Sequence, residues 1–312
     1  MRTILRHAGE ETRTLRDSWG RTALSQVMWL VMRAGSLLLF RSKLIQHAEG
    51  LEHIPRSGPV LLVARHYHWY YDGHVLVRII PRRLHIIVAL DWLQSRMLRL
   101  LIEFACSLPD WPIILRGEEF RKHKEDEPWV YAPVLARRYL RRLMLSAARL
   151  LRSGEMLVMF PEGYANIDPH PTPKADLDSF LPFRRGFVKL AELAERDGKT
   201  RVAIIPAGFT YTREGDKCWH ATVRFGSPLF RSDFASTEQL LQAVEERVHA
   251  LSYAVPPSLS SHIIEKGPLS RLCWRVRQKV QRSAMAPAQG EDKPSPLQCF
   301  RVHELALVMR GS

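Results

Sequence analysis

Apolar residues along the chain fall into short unbroken runs separated by stretches of helical period, and this alternation sets the fold class. Pro59-Val-Leu-Leu-Val-Ala64 is the first run, preceded by a polar lead-in over residues 44–57 that closes on Pro55, Ser57 and Gly58. His85-Ile-Ile-Val-Ala89, Ile113-Ile-Leu115, Met156-Leu-Val-Met-Phe160, Val202-Ala-Ile-Ile205 and Ala221-Thr-Val-Arg-Phe225 look similar. Continuous rather than alternating apolarity predicts strands covered on both faces, as in a mostly parallel sheet. Between them, residues 92–106 place Leu93, Met97, Leu100, Leu101 and Phe104 on one helical face. Residues 136–152 do the same with Leu140, Leu143, Met144, Ala147 and Leu151, and residues 186–196 and 237–252 share the period. Strand alternating with helix predicts an α/β fold, a mostly parallel sheet flanked by helices.

The two ends differ from this pattern. From Thr22 to Phe40 the chain is apolar, bounded by Arg21 and Arg41, with Arg33 as its only internal charge. A central arginine costs a spanning helix about 2.5–3.5 kcal/mol, which disfavours a simple span. The expectation is a membrane-associating helix lying in the interface, with Trp29, Leu30, Leu37 and Phe40 dipping into the acyl region. An amphipathic helix packed on the core is the other reading. Past Leu251, Pro256-Pro257 and the serines after it read as a linker, residues 269–282 as a basic helix, and 284–296 as disordered. The expected organisation is a membrane-associating helical segment over 1–49, one domain over 50–255 and a basic, partly disordered tail over 256–312.

Charge narrows the partners. Lys and Arg total 46 against 32 Asp plus Glu, a formal charge of +14. Such a surplus suits anionic membranes, nucleic acid or phosphorylated substrates, and the eight Trp and twelve Phe tilt it toward a membrane interface. Nucleic acid is disfavoured, because the basic residues follow no reading motif and aromatic residues are not interleaved with them for stacking. Cys106, Cys218, Cys273 and Cys299 are widely spaced and form no paired motif, which argues against a zinc site and a disulfide framework and for a reducing compartment. The first twenty residues mix Glu10, Glu11 and Asp17 with arginines and make a poor signal peptide. Asp168, His170, Asp176 and Asp178 lack ligand-like spacing and sit among three prolines, so they read as a solvated loop and no metal is expected.

Candidate chemistry begins directly after the first run, at Ala64-Arg-His66-Tyr-His68-Trp-Tyr-Tyr-Asp72-Gly73. A histidine and an aspartate just past a strand end sit where open α/β sheets place their chemistry. The pair suggests a general base oriented by a carboxylate, with a substrate hydroxyl in place of a protein nucleophile. Phe160-Pro-Glu162-Gly163 ends another run, Arg184-Arg185-Gly186-Phe187 opens a helix, Arg116 ends the 113–115 run and Ile205-Pro206 lies at a fourth. Pro-Glu-Gly after a strand makes an abrupt turn with a carboxylate and exposed amides, and arginines at strand ends and helix starts can grip a phosphate.

In this order the segments resemble the four blocks of the glycerolipid acyltransferase family, which includes 1-acylglycerol-3-phosphate acyltransferases. The histidine and aspartate block matches Gly58 to Asp72, the second block Pro112-Ile-Ile-Leu-Arg116, the third Phe160-Pro-Glu-Gly163, and the fourth Ile204-Ile-Pro206. The lead-in matches 51–59 and the basic helix start 184–186, so the resemblance covers roughly 50–230. Two departures stand out. The family leaves four residues between histidine and aspartate, whereas His66 and Asp72 are separated by five and His68 and Asp72 by three. His66 keeps the distance from the strand and is the first candidate for the base, with His68 in reserve. The third block usually continues Thr-Arg-Ser but here continues Tyr164-Ala-Asn166, so Arg116, Lys174, Arg184 or Arg185 would have to replace the lost phosphate-gripping arginine, unless the acceptor is not a simple phosphomonoester.

The resemblance implies transfer of a fatty acyl group from acyl-CoA or acyl carrier protein to a lysophosphatidate-like or glycerol phosphate hydroxyl in phospholipid synthesis. It further implies that Glu162 and Arg116 position the acceptor head group and that amides near Gly163 meet the oxyanion. No cofactor is expected beyond the thioester co-substrate. The expected location is the cytoplasmic face of a membrane, peripheral or monotopic, with membrane lipids as partners. The two departures motivate an alternative, a catalytically silent lipid-binding or scaffold protein on the same fold.

Overall fold

The structure, a computed structural model, describes residues 23–39, 44–93, 95–116, 133–170, 172–214 and 218–253. The tail expected over 256–312 lies outside the described residues. Helix α1 covers residues 23–39, followed by β1 (Leu44–Glu49), β2 (Val60–Ala64), α2 (Tyr71–Ile79), β3 (Leu84–Ile86), β4 (Val88–Ala89), α3 (Arg96–Ser107) and β5 (Ile113–Ile114). Then come α4 (Pro133–Arg152), β6 (Met156–Met159), α5 (Gly186–Glu195), β7 (Ala203–Glu214), β8 (Cys218–Phe225) and α6 (Thr237–Tyr253). Six strands form one sheet in the order β1-β8-β7-β2-β6-β3. Its centre is parallel: β2 pairs with β6 and β7, and β6 with β3. Only the β7–β8 hairpin is antiparallel, and β1 closes the far edge parallel to β8.

The unbroken apolarity of β2 follows from its place at the centre. Val60, Leu62 and Ala64 face a layer holding Val75, Leu76 and Ile80 of α2 and its exit. Leu61 and Val63 face the opposite layer, with Leu143 and Leu151 of α4, Phe187 and Leu190 of α5, and Val244 of α6. Both sides are covered, as expected for a parallel strand. At Gly208 of β7 the backbone of α6 comes so close that a Cβ would lie 2.4 Å from the Leu251 carbonyl carbon and the Ser252 nitrogen, so only glycine fits.

The mostly parallel α/β architecture matches the expectation, with several local corrections. The polar lead-in supplies a strand, β1, which gains its ladder from β8 rather than from an apolar pattern. The 85–89 run splits: Ile87 N–H donates to Val158 O in the main sheet, while Val88 N–H donates to Pro112 O and starts a two-stranded sheet of β4 and β5. β7 runs to Glu214 rather than stopping at Ile205, because hairpin pairing with β8 carries it on. Of the helical face expected over 92–106, only Leu93 is buried; Met97, Leu100, Leu101 and Phe104 of α3 are exposed.

Candidate active site

Parallel register brings the carboxyl ends of β2 and β6 together, since Val63 pairs with Met159. His66 therefore emerges beside the Phe160–Gly163 turn, and its ring stacks on Phe160 with centroids 4.4 Å apart. The chain then loops into α2, whose first turn holds Asp72. His66 Nδ1 lies 2.9 Å from Asp72 Oδ2, with the carboxylate fully buried and the imidazole partly exposed. Asp72 Oδ2 also accepts the backbone N–H groups of Tyr67 (2.8 Å) and His68 (3.1 Å), and Oδ1 accepts the Tyr211 hydroxyl at 2.7 Å. Four donors thus hold one carboxylate. They fix Nδ1 of His66 as the protonated nitrogen and leave Nε2, across the ring, as the acceptor.

The extra residue between His66 and Asp72 is absorbed by a loop that wraps the carboxylate. Ile167 clips that loop, donating its N–H to Tyr67 O at 2.8 Å and accepting the Trp69 N–H at 3.0 Å. His68 is placed differently from His66. It is buried among Tyr71, Tyr211 and Trp219, and its Nδ1 accepts the N–H groups of Tyr70 and Tyr71. Burial pulls its pKa down to about 4, against the opposing charge of Asp72. His68 is a neutral packing residue that shapes the loop; it does not pair with Asp72 through its ring.

Glu162 departs from the expected role. Its side chain is buried; Oε1 accepts His66 N–H at 3.0 Å, and Oε2 accepts Leu181 N–H at 3.1 Å and the Lys174 ammonium at 2.6 Å. With both oxygens engaged inside the protein, it fixes the backbone beneath His66 rather than reaching an acceptor. Lys174 is equally inward: its ammonium also donates to His66 O and to Asn166 Oδ1, each at 2.9 Å. Burial lowers its pKa while the Glu162 charge opposes. It is therefore unavailable to grip a phosphate.

Asn166, in the altered continuation of the third block, is joined to Arg65, the residue before His66. Arg65 is buried, with its guanidinium 4.1 Å from the Phe180 ring centroid and 4.8 Å from that of Tyr67. It donates to Leu177 O at 2.9 Å and reaches Asn166 Oδ1 at 3.5 Å. Asn166 in turn donates to Asp176 O and Ser179 O. Arg65 and Asn166 thus hold the 172–180 loop against the back of the site. Asp176 and Asp178 turn within that loop, and among the described residues no group of three His, Cys, Asp or Glu side chains is placed to hold a metal ion.

Gly163 adopts φ +79°, so its turn favours glycine, and its N–H is spent on Phe160 O at 3.1 Å. The N–H of Gly163 itself is thus engaged within the turn. Its carbonyl accepts Arg116 Nη1 at 2.6 Å, while the rest of that guanidinium pairs with Asp91 at 2.6–2.8 Å and lies over the Tyr164 ring at 4.1 Å. Arg184 approaches the same ring at 5.7 Å, and its guanidinium carbon is 3.2 Å from where a Gly163 Cβ would stand. Two arginines therefore flank Tyr164 at the turn. Arg185 is exposed and pairs instead with Glu238 of α6 at 3.1 Å, away from that ring. Tyr211 went unanticipated: it lies 139 residues from Asp72 in sequence, and its alternation with Phe209 signals only a strand.

A strand-end histidine held by a buried carboxylate, beside a Pro-Glu-Gly turn flanked by two arginines, is an arrangement able to accept a proton from a hydroxyl. The sequence model of the acyltransferase family matches residues 46–210, more than half of the chain, and the chain belongs to that family. The resemblance carried by the four blocks is borne out at that level. Among solved structures it is similar to the 1-acyl-sn-glycerophosphate (LPA) acyltransferase, PlsC, from Thermotoga maritima, at 17% identity and a TM-score of 0.46, over 74% of this chain and 80% of that one. No curated protein matched.

Proposed function

We propose that the protein is a glycerolipid O-acyltransferase, moving a fatty acyl group from a coenzyme A or carrier-protein thioester to the hydroxyl of a lysophosphatidate-like or glycerol phosphate acceptor. The observation that carries this reading is the His66–Asp72 pair at 2.9 Å in a chain of the acyltransferase family. His66 Nε2 takes the acceptor proton as the hydroxyl oxygen attacks the thioester carbonyl, and Asp72 steadies the imidazolium that forms. The tetrahedral oxyanion collapses, the C–S bond breaks, and the imidazolium returns the proton to the departing thiolate. Ester and free thiol are the products; no covalent acyl-enzyme and no cofactor enter. Arg184 supplies positive charge at the turn for an acceptor phosphate, and Arg116, engaged by Asp91 and by Gly163 O, holds that turn in place. The altered spacing that suggested a silent lipid-binding protein does not separate the pair, which favours the enzyme.

Membrane apposition is part of the proposal. Helix α1 is built inside out: Ser36 and Ser25 are buried and Ser36 Oγ meets His74, while Leu30, Val31, Leu38 and Leu39 are exposed. Arg33, the one internal charge, donates to Ile80 O at 2.6 Å and so turns to the protein. Among the described residues no helix is long and apolar enough to cross a membrane. An interfacial helix on the cytoplasmic face, peripheral or monotopic, fits this arrangement. The test is acyl transfer by purified protein in mixed micelles, offering acyl-CoA and acyl carrier protein thioesters against lysophosphatidate, glycerol 3-phosphate and uncharged acceptors. Transfer that prefers a phosphorylated glycerol acceptor supports the reading. Preference for an uncharged acceptor would overturn the acceptor assignment.

A further inference from the structure

Helix α3 turns its apolar side outward. Met97 is 84% exposed, Phe104 62%, Leu100 59% and Leu101 55%. The orientation is fixed from behind: Ile102 packs on Leu90, Leu93 and Leu115, and Glu103 accepts the Tyr139 hydroxyl of α4 at 2.6 Å. Four large apolar side chains along one face of a helix are more than the scattered surface apolars a monomer carries without consequence. Tyr139 also ties α3 to a helix of opposite character. Around it α4 exposes Arg137, Arg138, Arg141 and Arg142, and both Arg99 and Arg142 act electrostatically on the tyrosine hydroxyl. An apolar stripe bordered by guanidinium groups is complementary to the boundary between phospholipid head groups and acyl chains. A second copy on the same face would bring two arginine-rich helices together, which like-charge repulsion opposes.

We propose that the exposed face of α3, with the arginines of α4, is a docking surface for an anionic phospholipid bilayer, distinct from α1. The inference rests on the reading of this protein as a membrane-apposed acyltransferase. It assigns that bilayer a second, electrostatically selective contact beside the catalytic domain.

Vesicle flotation tests it, with full-length protein and vesicles of phosphatidylcholine alone or mixed with phosphatidylglycerol. Three variants run beside wild type: Leu101→Gln with Phe104→Gln on α3, Arg138→Glu with Arg142→Glu on α4, and Leu30→Gln with Leu38→Gln on α1. Because all six side chains are exposed or bordering solvent, folding is checked by thermal melting and is expected to hold. The α3 variant should lose at least about tenfold in partition to mixed vesicles. The α4 variant should lose its preference for phosphatidylglycerol and the salt sensitivity that goes with it. Both should keep wild-type transfer in mixed micelles. Unchanged flotation of the α3 and α4 variants, with the α1 variant impaired, overturns the second contact and leaves α1 standing. Wild type that does not float on either vesicle overturns both contacts. A wild-type dimer that dissociates in the α3 variant, with flotation unaltered, assigns the face to a second copy and overturns the proposal.

Discussion

Replacing Lys174 by methionine removes a buried ammonium while keeping most of the side-chain volume. In the wild type that ammonium sits 2.6 Å from Glu162 Oε2, with both side chains fully buried, and also holds the carbonyl of His66. Removing one partner of a buried ion pair costs about 3–5 kcal/mol, because the other charge is left uncompensated. Glu162 keeps two backbone donors, His66 N–H and Leu181 N–H, so the lower end, about 3 kcal/mol, is expected. The catalytic effect follows from the same contacts. His66 is pinned on both sides of its backbone, at N–H by Glu162 and at C=O by Lys174, and loss of one pin lets the imidazole drift. A misplacement of about 1 Å costs about 10²-fold in rate. Denaturant unfolding gives the stability change and transfer kinetics in mixed micelles give kcat and KM. The expected result is a fall in kcat with an acceptor KM close to wild type. Adding Glu162→Gln should recover part of the lost stability, since the unpaired charge is then gone. An unchanged stability with a tenfold rise in acceptor KM would instead turn Lys174 toward the substrate.

Tyr211→Phe leaves Asp72 Oδ1 buried without its donor; a loss of about 1–3 kcal/mol in stability and a lower kcat are expected from unfolding and transfer assays. His68 has a folded pKa of about 4 against an ordinary 6.5, so the unfolded chain binds more protons between those values. Stability is therefore lost as pH falls from about 6.5 to about 4, by about 3 kcal/mol from this group, and His68→Gln should flatten that part of a stability–pH curve. Arg184→Ala should raise KM for a phosphorylated acceptor about tenfold and leave an uncharged acceptor unaffected, measured by acceptor titration.

What the sequence discloses here is what local pattern and strand order carry. Continuous apolar runs such as Val60–Ala64 announce a two-sided strand because burial on both faces leaves no polar position. The proximity of His66 to the Phe160 turn is legible because parallel neighbours put their carboxyl ends side by side. The pairing of β1 with β8 is not, since its hydrogen bonds come from a partner more than 170 residues on. Tyr211 and Lys174 are hidden for the same reason: neither carries a local signal of the carboxylate it meets. Glu162 reads as a turn carboxylate aimed at the acceptor until the backbone N–H of His66 and the Lys174 ammonium are seen to take both its oxygens. At α3 the helical period is right, and the outward turn of its apolar face is not legible, because periodicity gives a face without saying what lies opposite it.

Whether His66 is the base is decided by transfer of labelled acyl-CoA to the preferred acceptor by wild type, His66→Ala, Asp72→Asn and His68→Ala, each confirmed as folded. His66→Ala is expected to fall to background, Asp72→Asn to fall by about 10²–10⁴, and His68→Ala, though less stable, to stay within about tenfold of wild type. Wild-type turnover by His66→Ala, or loss of turnover confined to a folded His68→Ala, would contradict that role for His66.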